Sequence, residues 1–349
     1  MKVCQFLASG DSGGLAKHLV DLTNGLSEAH EVSVIAPESM KPLLADSINF
    51  CAIDFSSGPL KSFFSLFQMY RFLKLTAPDV VCAHGSKAAK KLAFLKPYIQ
   101  PACIGTLHWI EKKKKYFERL DGVIGVSNAA LDGLKLNTQK VIYNGVNISD
   151  NIRQESLLAF EGLGIQKNNP TVIAIGRLVK VKGFDVLVNA WQQVNANLLL
   201  VGDGPLKQEL HDSIVEKGLT HKVFLLGHVD QAHELIRKAE LVVISSLHEG
   251  FCYVLAEALR YRVPVVSTDV AAANEILPNK LLCPIDDATS LERNLNIQLQ
   301  RLPELREDLD RIFDWAEVSL SVAHMAEETA RFYSFVINEK MNSGRNTKS

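Results

Sequence analysis

"LVVISSLHEGFCYVLAEALRYRVPVVSTD", Leu241–Asp269, sets two short β-branched runs on either side of a helical stretch. "LVVISS" and "VPVVSTD" are nearly continuous apolar runs, the pattern of strands buried on both faces. Strand, helix and strand in that order imply a parallel pair with the helix covering one face. The rest of the second half repeats the grammar in "TVIAIGR", "NLLLVGDG" and "KVFLLGH".

The first half is written the same way. "KVCQFLA", "EVSVIAP", "DVVCAHG", "ACIGTLH", "DGVIGVS" and "KVIYN" read as buried strands, and amphipathic helices lie between several of them. From Leu15, the residues Leu19, Leu22 and Leu26 follow at helical spacing. Two such arrays imply an α/β protein of two Rossmann-like, doubly wound domains. The turn-forming Asn-Gly of "YNGVN" (Tyr143–Asn147) marks the boundary. The expected domains are 1–147 and 148–321. One or two helices should follow in "DWAEVSLSVAHMAEETARFYSFVINEK", then a frayed tail, "MNSGRNTKS".

Composition agrees with two globular domains. The chain has 349 residues, 47% of them hydrophobic and 22% charged. No apolar run approaches the roughly 20 residues of a membrane span. The N-terminus reaches Asp11 too soon for a signal peptide, so the expected location is cytoplasmic. Six scattered cysteines offer no metal-ligand spacing, and zinc and disulfide frameworks are not expected. Residues 1–145 hold 17 Lys and Arg against 12 Asp and Glu, whereas the remainder holds 21 against 27. A basic first half facing an acidic second half is consistent with an anionic ligand or surface near the first. Nucleic acid is not an expected partner.

"GDSGG" (Gly10–Gly14) matches the surroundings of a serine-protease nucleophile. In that family the triad's His and Asp precede the serine on an all-β fold. Here no histidine precedes Ser12, and the pattern sits between a parallel-type strand and a helix. Ser12 is read as a bystander. Gly13 and Gly14 are read as room for a substrate to approach backbone N–H groups at a helix start.

Three further elements lie in the second half. "GRLVKVKGFD" follows a strand and places Arg177 and Lys182 around one turn, two cations suited to a diphosphate. "VGDGP" (Val201–Pro205) is a tight turn after the next strand. Glu249 and Glu257 are spaced E-x7-E leading into a helix. Eight residues of mostly helical rise cover about 12 Å, enough to put one carboxylate at each end of a sugar diphosphate. Each carboxylate accepts from two hydroxyls at once. Between them, the N–H groups of "GFCYV" (Gly250, Phe251, Cys252, Tyr253, Val254) are placed to hold phosphate oxygens.

In this order, "YNGVN", "GRLVKVKG", "VGDGP" and "HEGFCYVLAEALRYRVPVV" resemble the retaining GT-B glycosyltransferases of family 4. "GGLAKHLVDL", "GTLHW" and "DGVIGVSNAA" in the first half agree, so the resemblance spans nearly the whole chain. It implies that Glu249 binds donor-sugar hydroxyls, Glu257 the ribose, and Arg177 and Lys182 the diphosphate. It places His108 beside the transferred sugar and Gly14 near the phosphates or acceptor. Gly227, His228 and Val229 are carried over as further substrate contacts. It also implies that a terminal helix at about 322–340 packs back on the first domain. Where the family has Glu-Gly-Phe-Gly, Cys252 replaces the last glycine, which bears on the loop geometry.

The expected activity is retaining transfer of a hexose-type sugar from a nucleotide diphosphate sugar, with a UDP-sugar favoured. The acceptor is a glycan or lipid-linked glycan, as in bacterial lipopolysaccharide or other envelope polysaccharide synthesis. The donor lies in the cleft between the domains, with no metal and no cofactor, and the site residues Glu249, His108, Lys182 and Arg177 are the catalytic set. The alternatives are a nucleotide-sugar epimerase on this fold and a non-catalytic nucleotide-sugar-binding subunit.

Four features stay outside that assignment. His18, one residue off the leucine stripe, is read as helix packing or support, and His84 as either site-lining or structural. "EKKKKYFERL" is read as a solvated helix face. Its alternative, with "KSFFSLFQMYRFLK", is a basic, aromatic surface leaning on the inner membrane. Asp308-Leu309-Asp310 has the letters of a metal-binding D-x-D but lies in a charged helical stretch, away from any strand end.

Overall fold

A computed structural model describes residues 1–10, 13–55, 59–111, 113–149, 165 and 168–346. Asp11 and Ser12, two of the five residues of the protease-like motif, lie outside the described residues. The chain divides into two compact units, Met1–Gly145 with Ser321–Ser349, and Val146–Leu320. The second unit therefore begins and ends within two residues of the expected domain limits.

Seven parallel strands form the sheet of unit 1. They are β1 (Lys2–Leu7), β2 (Glu31–Ala36), β3 (Asn49–Ala52), β4 (Val80–His84), β5 (Ala102–Leu107), β6 (Gly122–Gly125) and β7 (Gln139–Val141), in the order β3-β2-β1-β4-β5-β6-β7. Strand alternation divides the core between two faces. Val3 and Leu7 of β1 and Val80 and Cys82 of β4 join one cluster. Cys4 and Phe6, with Val81 and Ala83, join the other. The first face is covered by the helix Gly14–Ser27 and the terminal helix Val322–Asn346. Leu19, Leu22 and Leu26 are buried there, each contributing roughly 1.5–3 kcal/mol. The tail expected to fray from Met341 is helical to Asn346.

Unit 2 repeats the winding with β8 (Thr171–Ile175), β9 (Asn197–Val201), β10 (Val223–Gly227), β11 (Leu241–Ile244), β12 (Val265–Thr268) and β13 (Leu282–Cys283), in the order β10-β9-β8-β11-β12-β13. Both orders are those of a doubly wound Rossmann sheet, whose switch points lie at β1/β4 and β8/β11. The quoted stretch Leu241–Asp269 becomes β11, the helix Tyr253–Arg260 and β12, with β11 and β12 parallel and in register from Val242↔Val265.

Two surface readings change. Among the described residues of Glu111–Leu120 there is no α-helix, only a 3₁₀ turn at Phe117–Arg119. Phe117 is buried, and Lys114 is buried with its ammonium on the Asp132 carbonyl. The run is pinned to the core rather than laid along a solvated helix. Asp308 and Asp310 lie in the helix Leu302–Ser319 and pair with Lys280, Arg301 and Arg262. The D-x-D letters therefore serve surface ion pairs.

Candidate functional site

In open parallel sheets, ligands bind beyond the carboxyl ends of the strands at the switch point. In unit 2 the loops leaving β8 and β11 meet there. Lys180–Lys182 forms a 3₁₀ turn that ends on Gly183, at φ +60. A Cβ at Gly183 would lie 2.1 Å from the Ser245 carbonyl oxygen, so only glycine lets the two loops touch. Ser245 Oγ donates to the Lys182 carbonyl at 2.9 Å, and the Leu247 amide donates to the Val181 carbonyl at 2.8 Å.

This seam aligns two charges. Lys182 Nζ donates to Glu249 Oε1 at 2.6 Å, and Ser246 Oγ donates to the same oxygen at 2.7 Å. Glu249 is only 5% exposed. Burial pulls the Lys182 ammonium down, but the Glu249 carboxylate bonded to it helps to more than offset this, and the ammonium stays above the ordinary lysine range. Sequence reasoning assigned these two residues to different parts of a donor, and the structure joins them directly. Arg177 is exposed beside them. Its loop runs along the "VGDGP" turn, where Gly202 sits at φ +141 and a Cβ would lie 1.9 Å from the Gly176 carbonyl.

The eight residues from Glu249 to Glu257 are not one helical rise. Glu249 lies in the loop, the helix begins at Tyr253, and Glu257 lies one turn inside it, 7% exposed. Helical rise therefore does not set the spacing between the two carboxylates. Gly250, Phe251 and Cys252 are buried ahead of the helix, while Tyr253 and Val254 are half-buried at its start. Cys252 is the N-cap residue, with φ −91 and ψ 109. Any L-residue adopts that conformation, so the departure from glycine costs the loop nothing. Burial and the nearby Glu249 carboxylate push the Cys252 thiol up to about 12.

Gly227 ends β10 at φ +70 and accepts from the Gly202 amide at 2.8 Å. This places Gly227 against the "VGDGP" turn. His228 is exposed and pairs with Asp230 at 3.1 Å, and Val229 is half-buried.

Unit 1 carries a different constellation at its own switch point. Gln5 shares its face of β1 with Val3 and Leu7 and is fully buried. Its Nε2 donates to the Tyr333 hydroxyl of the terminal helix at 3.2 Å, which turns Oε1 toward His84 Nε2 at 2.7 Å. His84 ends β4, and its Nδ1 lies 3.2 Å from His108 Nε2, just past β5. His18, on the first helix, meets Asn144 Oδ1 through Nδ1 at 2.8 Å. Ring centroids of His18 and His108 are 4.5 Å apart, edge to face. His18 Nε2 is buried with no hydrogen-bond partner among the described residues, a cost of about 1–3 kcal/mol. Burial lowers all three imidazoles, His18 to about 4 and the other two well below the ordinary histidine value.

Sequence reading placed only His108 in the site, read His18 as packing or support and His84 as either site-lining or structural, and missed their grouping with Gln5, Asn144 and Tyr333. The available signal was two histidines ending two strands, with a third on the inward face of the first helix. Gly13, the N-cap of that helix, is exposed at φ −97, and a Cβ there would meet nothing within 4 Å. Gly14, the first helical residue, is exposed as well. The protein itself does not need glycine at Gly13.

Comparisons with known proteins bear on the family and the fold. The family model "Glycosyltransferase Family 4" matches residues 12–150, and "Glycosyl transferases group 1" matches 157–312. A Campylobacter jejuni α-1,4-N-acetyl-D-galactosaminyltransferase, named for an undecaprenol-linked GalNAc substrate, is 25% identical over 97% of this chain and 99% of its own. An uncharacterized glycosyltransferase of Methanocaldococcus jannaschii is 34% identical over 41% of this chain and 39% of its own length. Among solved structures, Anabaena HepE in complex with UDP has a TM-score of 0.82 at 22% identity, covering 96% of this chain and 100% of its own. A Rickettsia africae glycosyltransferase reaches a TM-score of 0.85 at 18% identity, covering 96% and 98%. With both halves matched by consecutive family models on two doubly wound sheets, the chain belongs to the GT-B glycosyltransferases of family 4.

Proposed function

We propose that the protein transfers a hexose-type sugar from a nucleotide diphosphate sugar, UDP-linked by preference, to a glycan or lipid-linked acceptor with retention of anomeric configuration. The observation that carries the reading is the Lys182–Glu249 pair, set beside exposed Arg177 and the start of the helix Tyr253–Arg260. As the glycosidic bond breaks, negative charge grows on the diphosphate. Arg177 and Lys182 stabilise it together with the helix-start amides of Gly250–Val254, and no metal is needed at the diphosphate. Glu249 takes sugar hydroxyls and holds Lys182 in place, and Glu257 takes the ribose. Gly227, His228 and Val229 line the nucleotide side. Gly13, Gly14 and His108 belong to the acceptor and sugar side, on unit 1. Same-face attack, with the leaving phosphate taking the acceptor's proton, requires no protein nucleophile.

A place in bacterial envelope polysaccharide synthesis is supported by the Campylobacter relative and by an Erwinia amylovora amylovoran biosynthesis glycosyltransferase, 28% identical over 59% of this chain. UDP as carrier is supported by the HepE complexes with UDP and UDP-glucose. Cytoplasmic work at the inner-membrane surface fits the helix Pro59–Thr76, where Phe63, Phe64 and Phe67 are all at least half exposed near Arg71 and Lys74. Among the described residues no helix is long and apolar enough to cross a membrane.

A donor panel read by thermal shift, then by slow donor hydrolysis and product NMR, tests the proposal. A UDP-sugar should stabilise the protein, be hydrolysed slowly without acceptor, and give an α-linked product from an α-linked donor. Binding with no hydrolysis would favour the non-catalytic subunit, and an inverted product would remove the same-face step.

A further inference from the structure

His18, His84 and His108 each offer a ring nitrogen, and these three atoms lie within 4.8 Å of one another. We propose that His18 Nε2, His84 Nδ1 and His108 Nε2 bind a first-row divalent cation of the imidazole-preferring kind, zinc or cobalt, leaving a fourth position for water or a small ligand. The surrounding amides choose the atoms. Gln5 Nε2 donates to Tyr333, so Gln5 Oε1 accepts from His84 Nε2–H and leaves His84 Nδ1 a bare lone pair. Asn144 Oδ1 only accepts, so His18 carries its proton on Nδ1 and its Nε2 is bare. That Nε2 is the buried nitrogen with no partner among the described residues.

Spacing and chemistry both fit. Without metal, the 3.2 Å between His84 Nδ1 and His108 Nε2 is a hydrogen bond donated by His108 Nε2–H, whose proton passes to His108 Nδ1 or to solvent when an ion binds. That distance matches the roughly 3.3 Å between two nitrogens of a tetrahedral zinc site with bonds near 2.0–2.1 Å. The remaining edges are at most 4.8 Å and must close by about 1.5 Å at most, and His108 is the least buried of the three rings. Histidine ligands in metal sites donate their second ring N–H to an oxygen that fixes the tautomer. Gln5 and Asn144 already do this for two of the three. A site of imidazoles selects zinc, cobalt or nickel over magnesium or calcium, which prefer oxygen. The ion would tie the first helix to the ends of β4 and β5. This proposal does not rest on the transferase reading.

Titration of the chelator-treated, full-length protein with Co²⁺ tests it. The expected result is one equivalent giving the visible bands of four-coordinate cobalt without a thiolate charge-transfer band. Zinc should displace it and raise the unfolding temperature. His18→Ala with His84→Ala should abolish the bands. Asn144→Ala and Gln5→Leu, which keep every ligand, should weaken binding 10- to 100-fold, with circular dichroism confirming that each variant is folded. Binding in the wild type no tighter than in the double variant, a thiolate band, or unchanged affinity in both Asn144→Ala and Gln5→Leu would overturn the proposal.

Discussion

The two sheets share one winding order, yet the edges where their strands reverse are chemically opposite. In unit 2, β8 and β11 end on a hydrogen-bonded ion pair, Lys182 with Glu249, and an exposed arginine. In unit 1, β4 and the loop after β5 end on imidazoles that burial keeps uncharged, oriented by amides rather than by charges. One fold thus supplies two kinds of site, and the difference lies in the residues at the strand ends, the loops after them and the helix that follows β1. A charged edge suits a diphosphate, whose charge must be met. A neutral edge suits hydroxyls or a metal ion, which need lone pairs.

The largest test of this contrast is to break the ion pair. Lys182→Ala leaves the Glu249 carboxylate buried beside Ser246, and Glu249→Gln removes its charge while keeping its shape. Each should lower transfer by about 10²–10³-fold, the scale of a lost electrostatic contact at a developing charge. Free UDP should lose affinity in Lys182→Ala. Because the two side chains are bonded, the double variant should fall well short of the product of the single effects. Kinetics of all four proteins give the answer. Independent, multiplicative effects would mean that the pair does not act as a unit.

The two edges should also fail at opposite ends of the pH scale. The His18 value is depressed to about 4 in the folded chain from about 6.5 unfolded. Its contribution is therefore fully present above pH 6.5 and lost as the pH falls toward 4. A shift of that size is worth about 3 kcal/mol. Lys182 is raised instead, so its contribution is present below the unfolded lysine value and lost only as the solution becomes strongly alkaline. In chelator-treated protein, unit 1 should loosen first between pH 6.5 and 4, as read by hydrogen exchange. His18→Gln should make that limb shallower, His84 and His108 still contributing to it, and leave the alkaline one unchanged. Acid loosening that begins in unit 2 would reverse the comparison.

A third contrast concerns glycine. Gly183→Ala must place a methyl group against the Ser245 carbonyl at a positive φ, costing about 2–3 kcal/mol and weakening donor binding. Gly13→Ala meets open space and should lower urea stability only by the roughly 0.5–1 kcal/mol that separates glycine from alanine at a helix N-cap. If Gly13→Ala nevertheless lowers transfer, the requirement there comes from the ligand. Equal stability losses at the two positions would contradict the loop geometry.

The sequence displayed most of this architecture, and the shortfalls have physical causes. Eleven of the thirteen strands among the described residues were legible because buried parallel strands are continuous apolar runs. β3 escaped because none of its four residues is fully buried, so it is no continuous apolar run, and β13 because it has only two residues. Arg177, Lys182, Glu249 and Glu257 were legible because each sits in a quotable motif. The grouping of the three histidines was not, since they lie 66 and 24 residues apart and meet only through the pairing of β4 with β5 and the packing of the first helix. Lys114 misled because a run of four lysines looks solvated, whereas one of them turns inward to a carbonyl.

The smallest expected effect is at Cys252, where resemblance leads one to expect glycine. Its backbone lies at φ −91 and ψ 109, so glycine has no conformational advantage there. The thiol is 3% exposed, and its value is held up at about 12 by burial and by Glu249. A buried, fully protonated thiol is a poor nucleophile. Cys252→Gly should therefore change transfer less than about threefold. It should cost about 1 kcal/mol, from one lost buried side chain and the extra freedom of glycine in the unfolded chain. In the folded wild type, a thiol reagent should label Cys51 first, because it is the half-buried cysteine while the other five are buried. Peptide mapping after brief labelling separates the two. Rapid labelling at Cys252, or a large gain in transfer on restoring glycine, would show that this loop opens and that the side chain obstructs the phosphate position.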